Sequence, residues 1–203
     1  MPADYVVHIV DDEEPVRKSL AFLLTVEGFA VRLHESASAF LRVAPGIRNA
    51  CLVTDLRMPD IDGVELLRRL RIDGIHIPAI VITGHGDVPM AVAAMKSGAL
   101  DFIEKPFEDQ VLIDSIRRAA GEIGGGFGKD LLEIERRLAT LTDREREVLS
   151  GIVAGLPNKT IGFDLEISPR TVEVHRANIM SKMEARSLAE LVRMAIHARV
   201  VPS

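Results

Sequence analysis

A chain of 203 residues is long for one domain and comfortable for two small ones. Its 47% apolar and 27% charged content is ordinary for a globular protein, and a net charge of −5 argues against wholesale coating of nucleic acid while leaving room for a local basic patch. The single cysteine, Cys51, excludes a disulfide framework within the chain; no secretory pattern precedes the acidic "DDEE" at 11–14, and no apolar stretch approaches the ~20 residues of a membrane helix. A soluble cytoplasmic protein with no membrane partner is expected. Charge is uneven: from Thr140 onward there are 9 Lys and Arg against 8 Asp and Glu, a net of +1, and the remainder carries 16 against 22, a net of −6. Two parts with two jobs are implied.

In chain order, the first ~120 residues alternate short Val- and Ile-rich runs with helix-period segments. The runs are "YVVHIV" (5–10), "FAVRL" (29–33), "ACLVTD" (50–55), "IPAIVIT" (77–83) and "LDFIE" (100–104). Helical faces fall between and after them: Val16, Leu20, Leu23 and Leu24; then Val64, Leu67 and Leu70; then Val88, Val92 and Met95; then Leu112, Ile116 and Ala120. Such alternation predicts an α/β flavodoxin-like doubly wound domain over 1–121, with five parallel strands in the order 2-1-3-4-5 and its site at the carboxyl ends of the strands. "GEIGGGFGKD" (121–130) reads as a linker. It is not a phosphate-cradling loop: Ile123 stands where the first glycine is required and Asp130 replaces the hydroxyl after the lysine. "DLLEIERRLATL" (130–141) is a short amphipathic connector helix, so 122–139 joins the two parts.

The segment 140–203 shows four helical patterns and no strand. Thr142 and Glu145 form a capping box, and Ser168 followed by Pro169 is a strong start signal for the third helix. A small all-α four-helix domain with a helix-turn-helix is expected. On its third helix Val172, Ile179, Met180 and Met183 should pack, while Glu173, Val174, Ala177 and Ser181 face outward. Lys159, Thr160, Arg170, Thr171, Arg176 and Lys182 are placed to hold DNA phosphates. Without further information, a protein-interaction module fits the same helices.

The chemistry of the first part lies in its strand-end carboxylates. Asp11 and Asp12 end the first strand and Asp55 the third, which the topology makes neighbours. Crowded carboxylates need a cation, and hard oxygen ligands without a Cys or His cluster favour Mg²⁺. Thr83 ends the fourth strand and Lys105 follows the fifth, completing a set suited to phosphoryl transfer. Of the three aspartates in "CLVTDLRMPDIDG" (51–63), Asp55 is the nucleophile candidate because it alone terminates an apolar strand at the site; Asp60 and Asp62, in "PDIDG", are turn and cap residues. A phosphatase using an aspartyl nucleophile would want a second aspartate two positions on, where this chain has Arg57. His175 and His197 are read as packing histidines, and the "NKT" sequon at 158–160 as incidental.

The motifs "HIVDDE", "LVTDLRMPDIDG", "AIVITGHGD" and "DFIEKPF" resemble the response-regulator receiver domain of two-component signalling. "LTDREREVL" and "GLPNKTIGFDLEISPRTVEVHRANIMSKM" resemble the LuxR/NarL-type DNA-binding domain, and the pairing is similar to the FixJ branch. The resemblance implies that a FixL-like sensor histidine kinase phosphorylates Asp55. It implies that Asp11, Asp12, Asp55 and the backbone carbonyl of Arg57 hold Mg²⁺, that Thr83 and Phe102 form the switch pair, and that Lys105 contacts the phosphoryl group. It further implies homodimerisation through the 88–98 helix and the fifth strand, release of the 140–203 domain from restraint, promoter binding with RNA polymerase as partner, and activation of nitrogen-fixation or respiratory genes. Any enzymatic activity would be confined to slow self-phosphorylation from small donors and self-dephosphorylation. The alternative is a DNA-binding regulator acting without phosphorylation. Two departures stand out. Phe102 lacks the hydroxyl of the tyrosine often found there, and Gly84 replaces a common alanine, which widens access and shortens the phosphoryl lifetime. Glu173 and Ala177 stand where many relatives carry lysine, so base preference does not transfer.

Overall fold

The computed structural model describes residues 5–84, 88–122, 130–198 and 200. Two compact units emerge: Met1–His85 with Ser97–Gly126, and Gly86–Lys96 with Phe127–Ser203. Residues 123–129 of the expected glycine-rich linker (121–130), with the phosphate-loop candidate there, and the side chain of His197 lie outside the described residues.

In the first unit, strands β1 (Val6–Val10), β2 (Ala30–His34), β3 (Ala50–Asp55), β4 (Ala79–Thr83) and β5 (Asp101–Glu104) form one parallel sheet in the order 2-1-3-4-5, as expected. β3 and β4 are central and buried on both faces, which is why they read as unbroken apolar runs; the edge strand β2 is largely exposed. Val7, Ile9, Cys51, Val53, Ile80 and Ile82 meet Leu20 and Leu24 of α1 (Glu14–Val26) and Leu112 and Ile116 of α5 (Asp109–Glu122) in one core. Their sequence neighbours, Leu52 and Val81 among them, point to the opposite face.

Three differences from the sequence reading have local causes. A five-residue helix, α2 (Ala37–Leu41), follows β2; Ser36 caps it by accepting the Ala39 N–H at 3.1 Å. Five residues are too few to display a helical period. β4 starts at Ala79 because Pro78 has no N–H to give, although its carbonyl still accepts the Leu52 N–H at 2.8 Å. β5 carries a buried acid, Asp101, which accepts hydrogen bonds from the Ser115 hydroxyl at 2.6 Å and from the Arg118 guanidinium, tying α5 to this edge of the sheet.

The remaining helices are α3 (Gly63–Ile72) in the first unit, α4 (Val88–Lys96), the connector α6 (Asp130–Ala139), and α7 (Asp143–Val153), α8 (Asn158–Asp164), α9 (Pro169–Met183) and α10 (Leu188–His197). Both predicted caps are present. Thr142 and Glu145 make the reciprocal capping box of α7, and the Ser168 hydroxyl accepts the Thr171 N–H at 3.0 Å. α8 and α9 form the helix-turn-helix. The turn is tight because Ile167 N–H reaches Gly162 O at 2.9 Å; a Cβ on Gly162 would lie 2.7 Å from the Ile167 carbonyl oxygen.

Tyr5, the only tyrosine of a chain without tryptophan, is 4% exposed in the first unit's core and so reports on that unit alone. Ile80→Ala is expected to destabilise the unit by about 3 kcal/mol through a cavity at a fully buried position. Urea unfolding followed by tyrosine fluorescence checks this, with Thr142→Ala leaving the same transition in place.

Candidate functional site

β1 and β3 are hydrogen-bonded neighbours, with Val10 opposite Thr54. The next residue on each strand is therefore an aspartate at the same carboxyl edge. Asp11 is 2% exposed, and its Oδ1 accepts the Glu13 N–H at 2.8 Å. Asp55 is half-buried, and its Oδ2 accepts the Arg57 N–H at 2.7 Å. The third member comes from β5. The Lys105 N–H donates to Thr83 O at 2.7 Å, which brings its ammonium to the same edge, 3.1 Å from Asp55 Oδ1 and 3.5 Å from Asp11 Oδ2.

Burial pushes the Asp11 carboxyl above the usual carboxylate range; the Glu13 N–H and Lys105 pull it back, while Asp55 and Asp12 push the same way as burial. Asp12 is exposed beside it, Arg57 is exposed, Phe102 is half-buried and Thr83 is buried at the end of β4. Among the described residues no three acidic, histidine or cysteine side chains form a ready cation cluster, and the Lys105 ammonium stands between Asp11 and Asp55. The donor chemistry of Asp11, Asp12 and Asp55 nevertheless fits a hard divalent cation: carboxylate oxygens only, one of them buried and crowded by like charge.

Asp62 caps α3, accepting the Glu65 N–H at 2.7 Å, as read from the sequence, while Asp60 accepts the Ser38 N–H at 2.9 Å, a tie to the first turn of α2 that the sequence does not show. A residue that sequence reasoning missed is Gly63. A Cβ there would lie 2.6 Å from the Asp55 carbonyl oxygen, so α3 starts directly against the backbone of the candidate nucleophile. The glycine after "DID" was the available signal, read only as a turn former.

In the second unit, Val172, Ile179 and Met183 are buried, Met180 is half-buried, and Glu173, Val174, Ala177 and Ser181 are exposed, as the period of α9 requires. Lys159, Thr160 and Arg170 stand exposed at the N-terminal ends of α8 and α9, with Thr171 half-buried. Two further candidates are engaged elsewhere. Arg176 donates to Asn158 Oδ1 at 2.8 Å, joining α9 to α8. The Lys182 ammonium lies 2.7 Å from Glu145 Oε2, the buried capping-box carboxylate of α7. His175 is half-buried, and its Nδ1 has no hydrogen-bond partner among the described residues.

Comparison with known proteins assigns both parts. Residues 7–117 match the response regulator receiver domain, and 139–195 match bacterial regulatory proteins of the luxR family. The chain is 65% identical over 202 residues to the transcriptional regulatory protein FixJ of Rhizobium meliloti, covering 98% of this chain and 99% of that one. It is 54% identical to FixJ of Azorhizobium caulinodans, covering 100% and 97%. Among solved structures, a crystal structure of FixJ-N aligns with TM-score 0.56 and 72% identity over 58% of this chain and 94% of that one. Full-length FixJ from B. japonicum aligns with TM-score 0.56 and 47% identity over 97% and 98%. No helix among the described residues is long and apolar enough to cross a membrane.

Two outcomes follow from the geometry. Gly63→Ala forces the start of α3 off the Asp55 backbone and is expected to cost about 1–3 kcal/mol by overpacking, measured as a lower urea midpoint in the tyrosine transition. Asp11→Asn removes a buried charge. The folded-state pKa of Asp11 is raised, so the native state favours its protonated form; the cost of its charge is absent at low pH and appears as pH rises through that pKa. The variant should melt above the wild type at neutral pH, and the gap should close as pH falls through the carboxylate range.

Proposed function

The chain belongs to the response regulators of two-component signalling, with a receiver domain followed by a LuxR-family DNA-binding domain of the FixJ kind, and on that premise we propose that Asp55 is its phosphorylation site. One observation carries this reading: the Asp55 carboxylate lies 3.1 Å from the Lys105 ammonium, with Asp11 beside it, at the carboxyl edge of a parallel sheet. An Asp55 oxygen bonds to phosphorus as the P–N bond to the kinase's phosphohistidine breaks, and the electron pair stays on the imidazole. The Arg57 N–H holds Oδ2 and fixes the carboxylate plane. Lys105, already placed between the acids, is the cation for the new phosphoryl oxygens. Asp11, Asp12, Asp55 and the Arg57 carbonyl would hold Mg²⁺, which when bound neutralises charge on the transferring group.

The added charge of about −1.5 to −2 biases a two-state switch through Thr83 and Phe102. We assign 1–121 to the receiver, 122–139 to the linker and connector, and 140–203 to the DNA-binding domain. The phosphorylated receiver dimerises and frees the second domain. The dimer then reads two half-sites about 10 bp apart, with Lys159, Thr160, Arg170 and Thr171 on phosphates and Glu173, Val174 and Ala177 toward the bases. A FixL-like kinase, RNA polymerase and nitrogen-fixation or respiratory promoters are the partners this reading names, in the cytoplasm. Chemistry beyond the switch is limited to slow uptake of phosphate from small donors and its hydrolysis.

Intact mass after incubation with Mg²⁺ and a small-molecule acyl phosphate tests this. One phosphoryl adduct is expected on the wild type and none on Asp55→Asn. A folded wild type without adduct, beside a working donor control, transfers the reading to DNA binding without phosphorylation.

A further inference from the structure

The recognition helix α9 ends without a glycine. Glu184 closes it in the left-handed region, at φ 50° and ψ 34°, a conformation that costs a residue with a side chain free energy. The last turn is closed by Ala185 N–H to Met180 O at 3.0 Å, which leaves the Met183 carbonyl to be satisfied from outside. Arg137, near the end of the connector helix α6, satisfies it. Its Nη1 donates to Met183 O at 3.0 Å, its Nη2 lies 2.8 Å from the Glu184 carboxylate, and its Nε donates to Glu133 one helical turn back at 3.2 Å. The side chain is only 23% exposed, so the guanidinium is committed to this place.

A second cation fixes the same end. Lys182 reaches the Glu145 carboxylate at 2.7 Å, and that carboxylate is 3% exposed because it also accepts the Thr142 N–H at 2.7 Å. The C-terminal end of α9 is thus clamped from two sides, by α6 and by the first turn of α7. The other end carries Arg170 and the outward face of Glu173, Val174 and Ala177. A helix of 15 residues is about 22 Å long, so a small tilt at the clamped end moves the reading end by far more than hydrogen-bond tolerance.

We infer that Arg137 is a positioning residue for DNA reading and that the connector helix α6 is a working part of the DNA-binding head. This rests on the DNA-binding reading above. Arg137 touches the backbone of α9 and not the exposed face, so its loss should weaken discrimination among sequences while leaving the phosphate contacts intact.

The test uses the full chain, phosphorylated with Mg²⁺ and a small-molecule acyl phosphate, since the reading above frees the DNA-binding domain only in that state. Wild-type protein selects duplexes from a randomised pool, and affinities of wild type, Arg137→Met, Arg137→Lys and Lys159→Met are then measured for a selected duplex and a scrambled one across a salt series. Arg137→Met should bind the selected duplex about tenfold more weakly, as expected for loss of charge-assisted hydrogen bonds. Its binding to the scrambled duplex and its salt slope should match the wild type, whereas Lys159→Met should lower the slope by about one. Arg137→Lys should recover most of the loss, because an ammonium can still reach Met183 O or Glu184. Amide exchange at Glu184 and Ala185 should rise in Arg137→Met while the buried turns of α7 stay protected. Equal affinity of Arg137→Met and wild type on the selected duplex overturns the inference. So does a slope lowered by about one in Arg137→Met, which would make Arg137 itself a phosphate contact. If Arg137→Met does not fold, Arg137→Gln decides, since it lacks the charge and the reach to hold Met183 O and Glu184 together: wild-type discrimination in it overturns the inference. A wild type that selects no duplex fails the DNA-binding reading first, and this inference with it.

Discussion

The burial of one carboxylate, Asp11, beside a second, Asp55, is the constraint around which the first unit is arranged. Strand order 2-1-3-4-5 makes β1 and β3 neighbours, and the register places both acids at one edge. Burial, with the charge of Asp55 beside it, disfavours ionisation of Asp11. The Lys105 ammonium relieves this from a strand that is sequentially remote, 50 residues beyond Asp55. Its position depends on β5 pairing with β4, and that pairing leaves Thr83 at the same edge. Sheet order, core and site are consequently one problem: anything that slips β5 relative to β4 moves the counter-charge away from the acids.

The same logic explains why Asp55 is held more firmly than a strand-end residue needs to be. Its Oδ2 is fixed by the Arg57 N–H, its backbone is pressed by the start of α3 at Gly63, and the next residue, Leu56, donates to Ile82 O at 2.9 Å. With one carboxylate oxygen held and the backbone beneath it fixed, few orientations are left, which would suit the phosphoryl acceptor proposed for this position.

Much of this was legible in the sequence, and the limits of legibility are physical. The five strands were visible because parallel strands buried on both faces are written as apolar runs. Asp11, Asp55 and Lys105 were visible because each ends or follows such a run. The helix α2 was not, since five residues cannot show a period, and Asp101 looked like an ordinary polar position although it is buried on Ser115 and Arg118. The outward side of α9 was legible from its period. The roles of individual cations were not: Lys182 and Arg176 have the right type and spacing to hold phosphate, yet the one pairs with Glu145 and the other with Asn158. Composition reports that a cation is present, and only the fold reports what it is already holding.

That distinction also bears on the charge balance of the second unit. From Thr140 onward its 9 Lys and Arg are nearly cancelled by 8 Asp and Glu, and Arg176 and Lys182, with Arg137 of the connector, are committed to internal partners. The cations left exposed near the reading helix, Lys159 and Arg170, can supply only a small electrostatic contribution to affinity, and the outward Glu173 opposes it. Under the proposed function, a head with so little nonspecific attraction would gain grip by doubling, since two tethered heads on adjacent half-sites bind far more tightly than either alone. On the function proposed above, weak single-head binding would make control by dimerisation effective: a strongly basic head would occupy DNA regardless of the state of Asp55, whereas this one would depend on being paired.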